Sequence, residues 1–143
     1  MPKYSSASKK KLLLAHPDLQ IIFNEVIKYY DNTIVYTFRN EELQNNLYEQ
    51  GLTKKKYPHS KHNIYYSMAV DSAPYIDGTV SQDMYQCYHY AGFVKGIAQM
   101  LLNEGKISHK LIGGSDWDND NNVNDQKFRD LWHFELSKIE GGK

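Results

Sequence analysis

The stretch Asp130-Leu-Trp-His-Phe-Glu-Leu136 places apolar Phe134 and Leu136 in alternation with His133 and Glu135. A period of two marks a strand with one face in a core. A final strand is therefore expected here, carrying an imidazole and a carboxylate. Asp130 stands three residues before His133. If the chain curls between them, Asp130 lies beside whatever His133 binds, where a carboxylate can take a proton from an attacking water. If it does not, Asp130 is a solvated turn residue and His133 a core histidine.

A second stretch, Ser60-Lys-His-Asn-Ile-Tyr-Tyr-Ser-Met-Ala-Val-Asp71, offers His62 and Asp71. With His133 they make two imidazoles and one carboxylate, a set that suits Zn²⁺ with one coordination position left open. Residues of like parity share a face in an extended segment. The odd spacing of nine between His62 and Asp71 does not by itself bring them together, although a turn through Asn63 to Tyr66 could. His16, His59, His89 and His109 have no carboxylate partner at a telling spacing and read as structural. The single cysteine, Cys87, excludes an intramolecular disulfide framework and a C-x-x-C metal pair, so a zinc site must use histidines and carboxylates.

Working outward, Pro17-Asp18 opens a helix whose Leu19, Ile22, Phe23, Val26, Ile27 and Tyr30 share one face. Thr33 to Phe38 is β-branched and aromatic, as in a strand. Asn40 is a helix N-cap, with Gly51 as the stop. Thr53 to Tyr66 is irregular, Ser67 to Ser72 a short strand presenting Asp71, and Gln82 to Leu102 the longest helix, closed by Gly105. Lys110 to Ile112 is another short strand. About three helices and short strands predict an α+β domain with a small, mostly antiparallel sheet. A chain of 143 residues suits one domain, residues 1–143, with no second unit.

Seventeen basic and seventeen acidic residues balance, which argues against nucleic acid or an anionic membrane as partner; the triplets Lys9 to Lys11 and Lys54 to Lys56 read as solvated surface. Leu12-Leu13-Leu14-Ala15 stops at His16-Pro17, too short for a signal-peptide core, so a chain made in the cytoplasm is expected.

Asp116-x-Asp118-x-Asp120 opens like an EF-hand calcium loop. It has Asn121 in place of the central glycine and Lys127 in place of the closing glutamate. Either a Ca²⁺ site or a solvated acidic loop fits that pattern.

Taken together, Ser60-Lys-His-Asn, Ala69-Val-Asp71, Ala73-Pro-Tyr75, Gly113-Gly-Ser-Asp-Trp-Asp118 and Asp125-Gln-Lys-Phe-Arg-Asp-Leu-Trp-His-Phe-Glu-Leu136 resemble the signatures of phage endolysins of the D-alanyl-D-alanine carboxypeptidase-like metallopeptidase family, L-alanyl-D-glutamate peptidase type. Arg39-Asn-Glu-Glu-Leu-Gln44 resembles that family's Arg-containing helix start. The resemblance spans roughly residues 17 to 137. It implies a hedgehog-like fold with zinc at the sheet, held by His62, Asp71 and His133. Asp130 would be the general base, and Arg39 the cation for the scissile carbonyl oxygen. It implies an enzyme that cleaves the peptidoglycan stem peptide, most directly at L-Ala-D-Glu, after waiting in the host cytoplasm for lysis, and a monomer is expected. The competing expectations are a D-Ala-D-Ala carboxypeptidase or dipeptidase on the same scaffold, and a non-catalytic wall- or calcium-binding module. Two departures stand out: Ser115 is inserted in the expected Gly-Gly-Asp-Trp, and Trp132 replaces a common proline.

Overall fold

Residues 2–139 are described by a computed structural model. In chain order the elements are α1 (Ser6–Leu12), α2 (Pro17–Val26), β1 (Asn32–Tyr36), α3 (Glu41–Glu49), β2 (Ala69–Ile76), β3 (Thr79–Val80), α4 (Met84–Asn103), β4 (His109–Gly114) and β5 (Asp130–Lys138). Single 3₁₀ turns lie at Lys61–Asn63 and Val123–Asp125. All strand pairings are antiparallel, in the order β1-β2-β5-β4, with β3 a hairpin partner of β2. Asp77 and Gly78 both take positive φ at that hairpin, the two-residue turn whose twist matches the strands it joins.

The α+β expectation holds, with four α-helices among the described residues where about three were expected. The additional one is α1, capped by Ser5, whose side chain accepts from the Ser8 amide. Only Ser8 and Leu12 of α1 are buried, so it shows almost no apolar stripe, and Lys9 to Lys11 lie in solvent as expected. Asn40 caps α3 and Asp83 caps α4, each accepting from a first-turn amide. Strand β2 runs past Ser72 through Pro74 to Ile76. Pro74 is tolerated because β5 pairs with β2 only over Ala69 to Asp71.

Phe23 and Val26 of α2 and Tyr90 and Val94 of α4 pack on Ile34, Val70, Phe134 and Leu136 of the sheet. Val70 lies opposite Phe134, so both point into this core. The next residue along each strand must face the other way. Asp71 and His133 are those residues, and they too lie opposite each other.

A polar tie fastens α2 to the start of β4. Asp18 Oδ2 accepts from the Ser108 amide at 2.9 Å and from His109 Nδ1 at 2.8 Å, while the Asp18 amide donates to His16 Nδ1 at 3.0 Å. His109 thus does have a carboxylate partner, one that only the fold supplies, while His16 caps α2 through the Asp18 amide. Burial would raise the Asp18 carboxyl, but the hydrogen bonds from His109 and Ser108 outweigh it and hold the group below its ordinary value. A depressed carboxyl contributes stability that is complete above its unfolded pKa and lost as pH falls through the folded one. Asp18→Ala should cost ~1.5–3 kcal/mol in urea denaturation at neutral pH. That gap should narrow as pH falls below 3.8; a gap independent of pH there would contradict this role.

Candidate metal centre

Register places two of the three candidate ligands. Asp71 of β2 and His133 of β5 are cross-strand partners, with His133 Nδ1 at 3.1 Å from Asp71 Oδ1. The third arrives on the 3₁₀ turn, where His62 Nε2 lies 3.2 Å from the same Oδ1. This turn solves the odd spacing of nine. Ser60 and Asn63 build it reciprocally: the Ser60 hydroxyl accepts from the His62 amide, and Asn63 Oδ1 accepts from the Ser60 amide. It is then locked to the chain after β1, because the Arg39 amide donates to His62 O at 2.7 Å and Asn63 Nδ2 donates to Arg39 O at 3.0 Å. The serine and asparagine of the motif therefore aim a histidine.

His62, Asp71 and His133 are all buried, and each offers a ligand atom within 4.8 Å of the others. The outward nitrogen of each imidazole is already committed. His62 Nδ1 meets Thr37 O at 2.6 Å, and a carbonyl can only accept, so this nitrogen donates outward and Nε2 is the one turned toward Asp71. His133 Nε2 meets Glu135 Oε1 at 2.9 Å, which turns Nδ1 inward. Two inward imidazole nitrogens and a carboxylate oxygen fit a divalent transition metal, and this group could hold such an ion.

Electrostatics agree. Burial would raise the Asp71 carboxyl, but His62 and His133 beside it hold it well below the carboxylate range. Burial would lower His133, yet hydrogen bonds to Asp71 and Glu135 hold it up, at about 9.

Asp130 reaches the same cleft through an irregularity. Gly113 pairs with Phe134 and Gly114 with Asp130, so Leu131, Trp132 and His133 bulge between consecutive β4 partners. That is the curl the Asp130-x-x-His133 spacing needs, and it forms with Trp132 within it. Gly114 permits it: a Cβ there would lie 2.1 Å from Asp130 O. Burial, then the charge of Asp71, raises the Asp130 carboxyl against the opposing pull of His133.

Arg39 also lines the cleft, though its guanidinium is engaged. Its Nη2 donates to Asp71 Oδ2 at 2.6 Å, its Nη1 to Gln44 Oε1 at 3.3 Å, and it lies 4.5 Å over the Tyr36 ring. The cleft has a volume of about 260 Å³, and Trp117 and Phe128 line it as well. Trp117 stacks on Phe128 and stands 5.3 Å from the His133 ring.

The inserted Ser115 is buried and settles the register of this loop: Trp117 turns to the cleft while Asp116 turns away, paired with Lys95 at 3.2 Å. Asp116, Asp118, Asp120 and Asp125 form a second group that could hold a cation. Asn121 sits at φ 68, doing what the absent glycine would do. His16, Asp18 and His109 form a third such group, but the ties described above account for it. Glu135, Lys61 and Thr37 went unassigned in the sequence; Glu135 shares the parity of His133, which was the available signal.

A family model described as phage L-alanyl-D-glutamate peptidase matches residues 1–137. No curated protein matches the chain. Among solved structures, the Serratia marcescens L-Ala D-Glu endopeptidase ChiX is similar, with a TM-score of 0.67 over 95% of this chain and 91% of that one, at 20% identity.

Two outcomes follow from the geometry. A metal must displace the His133 proton, so apparent affinity should fall up to about tenfold per pH unit as pH drops below about 9. Calorimetry in buffers of different ionisation enthalpy measures that release; none at neutral pH would contradict it. Gly114→Ala should displace Asp130 and reduce turnover, while chelator titration shows metal loading within a few-fold of the parent; unchanged turnover would refute the close approach.

Proposed function

The chain belongs to the phage L-alanyl-D-glutamate peptidase family, and on that premise we propose that it is a zinc endopeptidase that cuts the peptidoglycan stem peptide at the L-Ala-D-Glu bond. The observation that carries this reading is the convergence of His62 Nε2, Asp71 Oδ1 and His133 Nδ1 in a cleft that also contains Asp130. A structural zinc site usually takes four protein ligands, so three beside a cleft favour catalysis.

When bound, Zn²⁺ supplies Lewis acidity that polarises the scissile carbonyl and acidifies water. On this reading His62, Asp71 and His133 hold it, and their outward partners keep them oriented. Asp130, raised by burial and by Asp71, takes a proton from the attacking water and returns it to the leaving amine. Arg39 holds positive charge at the cleft wall, where negative charge grows on the carbonyl oxygen; such groups are typically worth ~3 kcal/mol of barrier. Trp117 and Phe128 give the peptide an apolar wall and limit water. The enzyme would be made in the infected cell's cytoplasm and would meet its substrate at lysis.

We further propose that the acidic loop takes Ca²⁺. Asp116 Oδ2 accepts from the Asn121 amide at 2.8 Å and from Lys95, whereas its Oδ1 is buried and has no hydrogen-bond partner among the described residues. A buried orphan oxygen is costly unless something meets it, and Asp118, Asp120 and Asp125 surround the same point. Asp125 takes the closing role that Lys127 cannot.

His62→Ala, Asp71→Ala, His133→Ala and Asp130→Ala should each abolish or cripple hydrolysis of purified peptidoglycan while unfolding cooperatively, with Asp130→Ala losing ~10²–10⁴-fold. Full activity in any of the three ligand variants would sink the assignment. Ca²⁺ at ~100 times its Kd should add ~2.7 kcal/mol of stability, and Asp116→Asn should remove that gain; calcium titration with no change in melting would exclude the second site.

A further inference from the structure

Glu135 and Asp130 both line the cleft, and either carboxylate could be taken for the proton carrier. The hydrogen bonds separate them. Both Glu135 oxygens are committed: Oε1 accepts from His133 Nε2 at 2.9 Å, and Oε2 meets Lys61 Nζ at 3.1 Å. Lys61 in turn donates to Leu136 O at 2.6 Å, while its own carbonyl accepts from the Met68 amide at 3.1 Å. Lys61 also precedes His62 in the 3₁₀ turn. One side chain thus spans the element that carries His62 and the strand that carries His133, and it does so through Glu135.

We propose that Glu135 is a positioning residue of the metal centre, and that Lys61 is the strut that holds it. Glu135 fixes His133 with Nε2 protonated and Nδ1 facing Asp71 Oδ1, while Lys61 balances its charge and fixes its rotamer. Thr37 O does the same for His62 at 2.6 Å, but as a backbone group it cannot be altered by a side-chain change. A carboxylate behind a ligating histidine orients the ring and makes the inward nitrogen more basic. Its pairing partners set Glu135 apart from a surface ion pair, because the Lys61 ammonium is also anchored on a main-chain carbonyl of β5.

The proposal rests on the reading of His62, Asp71 and His133 as a metal centre, and its test separates the two. Zn²⁺ affinity is measured by competition with a chromophoric chelator, the ligand field by the visible spectrum of the Co²⁺-loaded protein, and the fold by metal-free melting. Glu135→Ala should weaken Zn²⁺ binding ~10–100-fold and alter the Co²⁺ spectrum. Glu135→Gln, whose amide oxygen can still accept the Nε2 proton, should recover part of the loss. Lys61→Met should shift affinity in the same direction by less. Unchanged affinity in Glu135→Ala overturns the proposal, as do equal losses in the Ala and Gln variants that track a fall in metal-free melting. Should Glu135→Ala fail to fold, Lys61→Met with parental affinity overturns it as well. Failure of the parent protein to bind one equivalent of Zn²⁺ overturns the metal reading itself.

Discussion

The pairing of Asp71 with His133 across β2 and β5 is the constraint on which the rest depends. Its neighbour pair, Val70 with Phe134, is buried in the core, so hydrophobic burial sets the register and the register sets the chemistry. Burying a residue such as Phe134 is worth roughly 1.5–3 kcal/mol. A slip of one residue would turn that face to the cleft and send His133 into the core. The face that carries the candidate ligands is thus a consequence of the apolar face behind it.

Around that pair the chain spends its polar residues on orientation. Ser60 and Asn63 shape the turn, Thr37 and Glu135 hold the outward imidazole nitrogens, and Arg39 engages the second oxygen of Asp71. Each is a buried or half-buried group whose hydrogen bonds offset its desolvation. The bulge opposite Gly113 and Gly114 brings Asp130 into the same cleft, where Asp71 Oδ1 already meets His62 and His133. The acidic loop adjoins this arrangement through consecutive residues, Asp116 facing Lys95 and Trp117 facing His133. Anything that orders Asp116 therefore also bears on the cleft wall.

Local signals carried the strand around Phe134, the capped helices after Asn40 and before Gly105, and the ligand types. The alternation of Phe134 and Leu136 with His133 and Glu135 comes from a half-buried sheet, and it is written in adjacent residues. The meeting of His133 with Asp71, 62 positions apart, is not; long-range register depends on which apolar faces pack together. The 3₁₀ turn that corrects the odd spacing of His62 and Asp71 and the bulge at Asp130 are tertiary adjustments. Helix α1 was missed because its lysines hide a single buried leucine. The Asp18 tie to His109 was missed because its partners are 91 residues apart. Motif resemblance supplied the family, since its combination of short signatures exceeds what spacing alone can specify.

The central claim is that this register-built centre makes the chain a metal-dependent endopeptidase of the stem peptide. Mass spectrometry of fragments released from purified peptidoglycan by the zinc-loaded protein, with and without chelator, tests it most directly. The account predicts muropeptides ending in L-Ala together with peptides bearing a new amino-terminal D-Glu, both abolished by the chelator and restored by Zn²⁺. Release of D-Ala alone, or the same fragments in the presence of chelator, would contradict it.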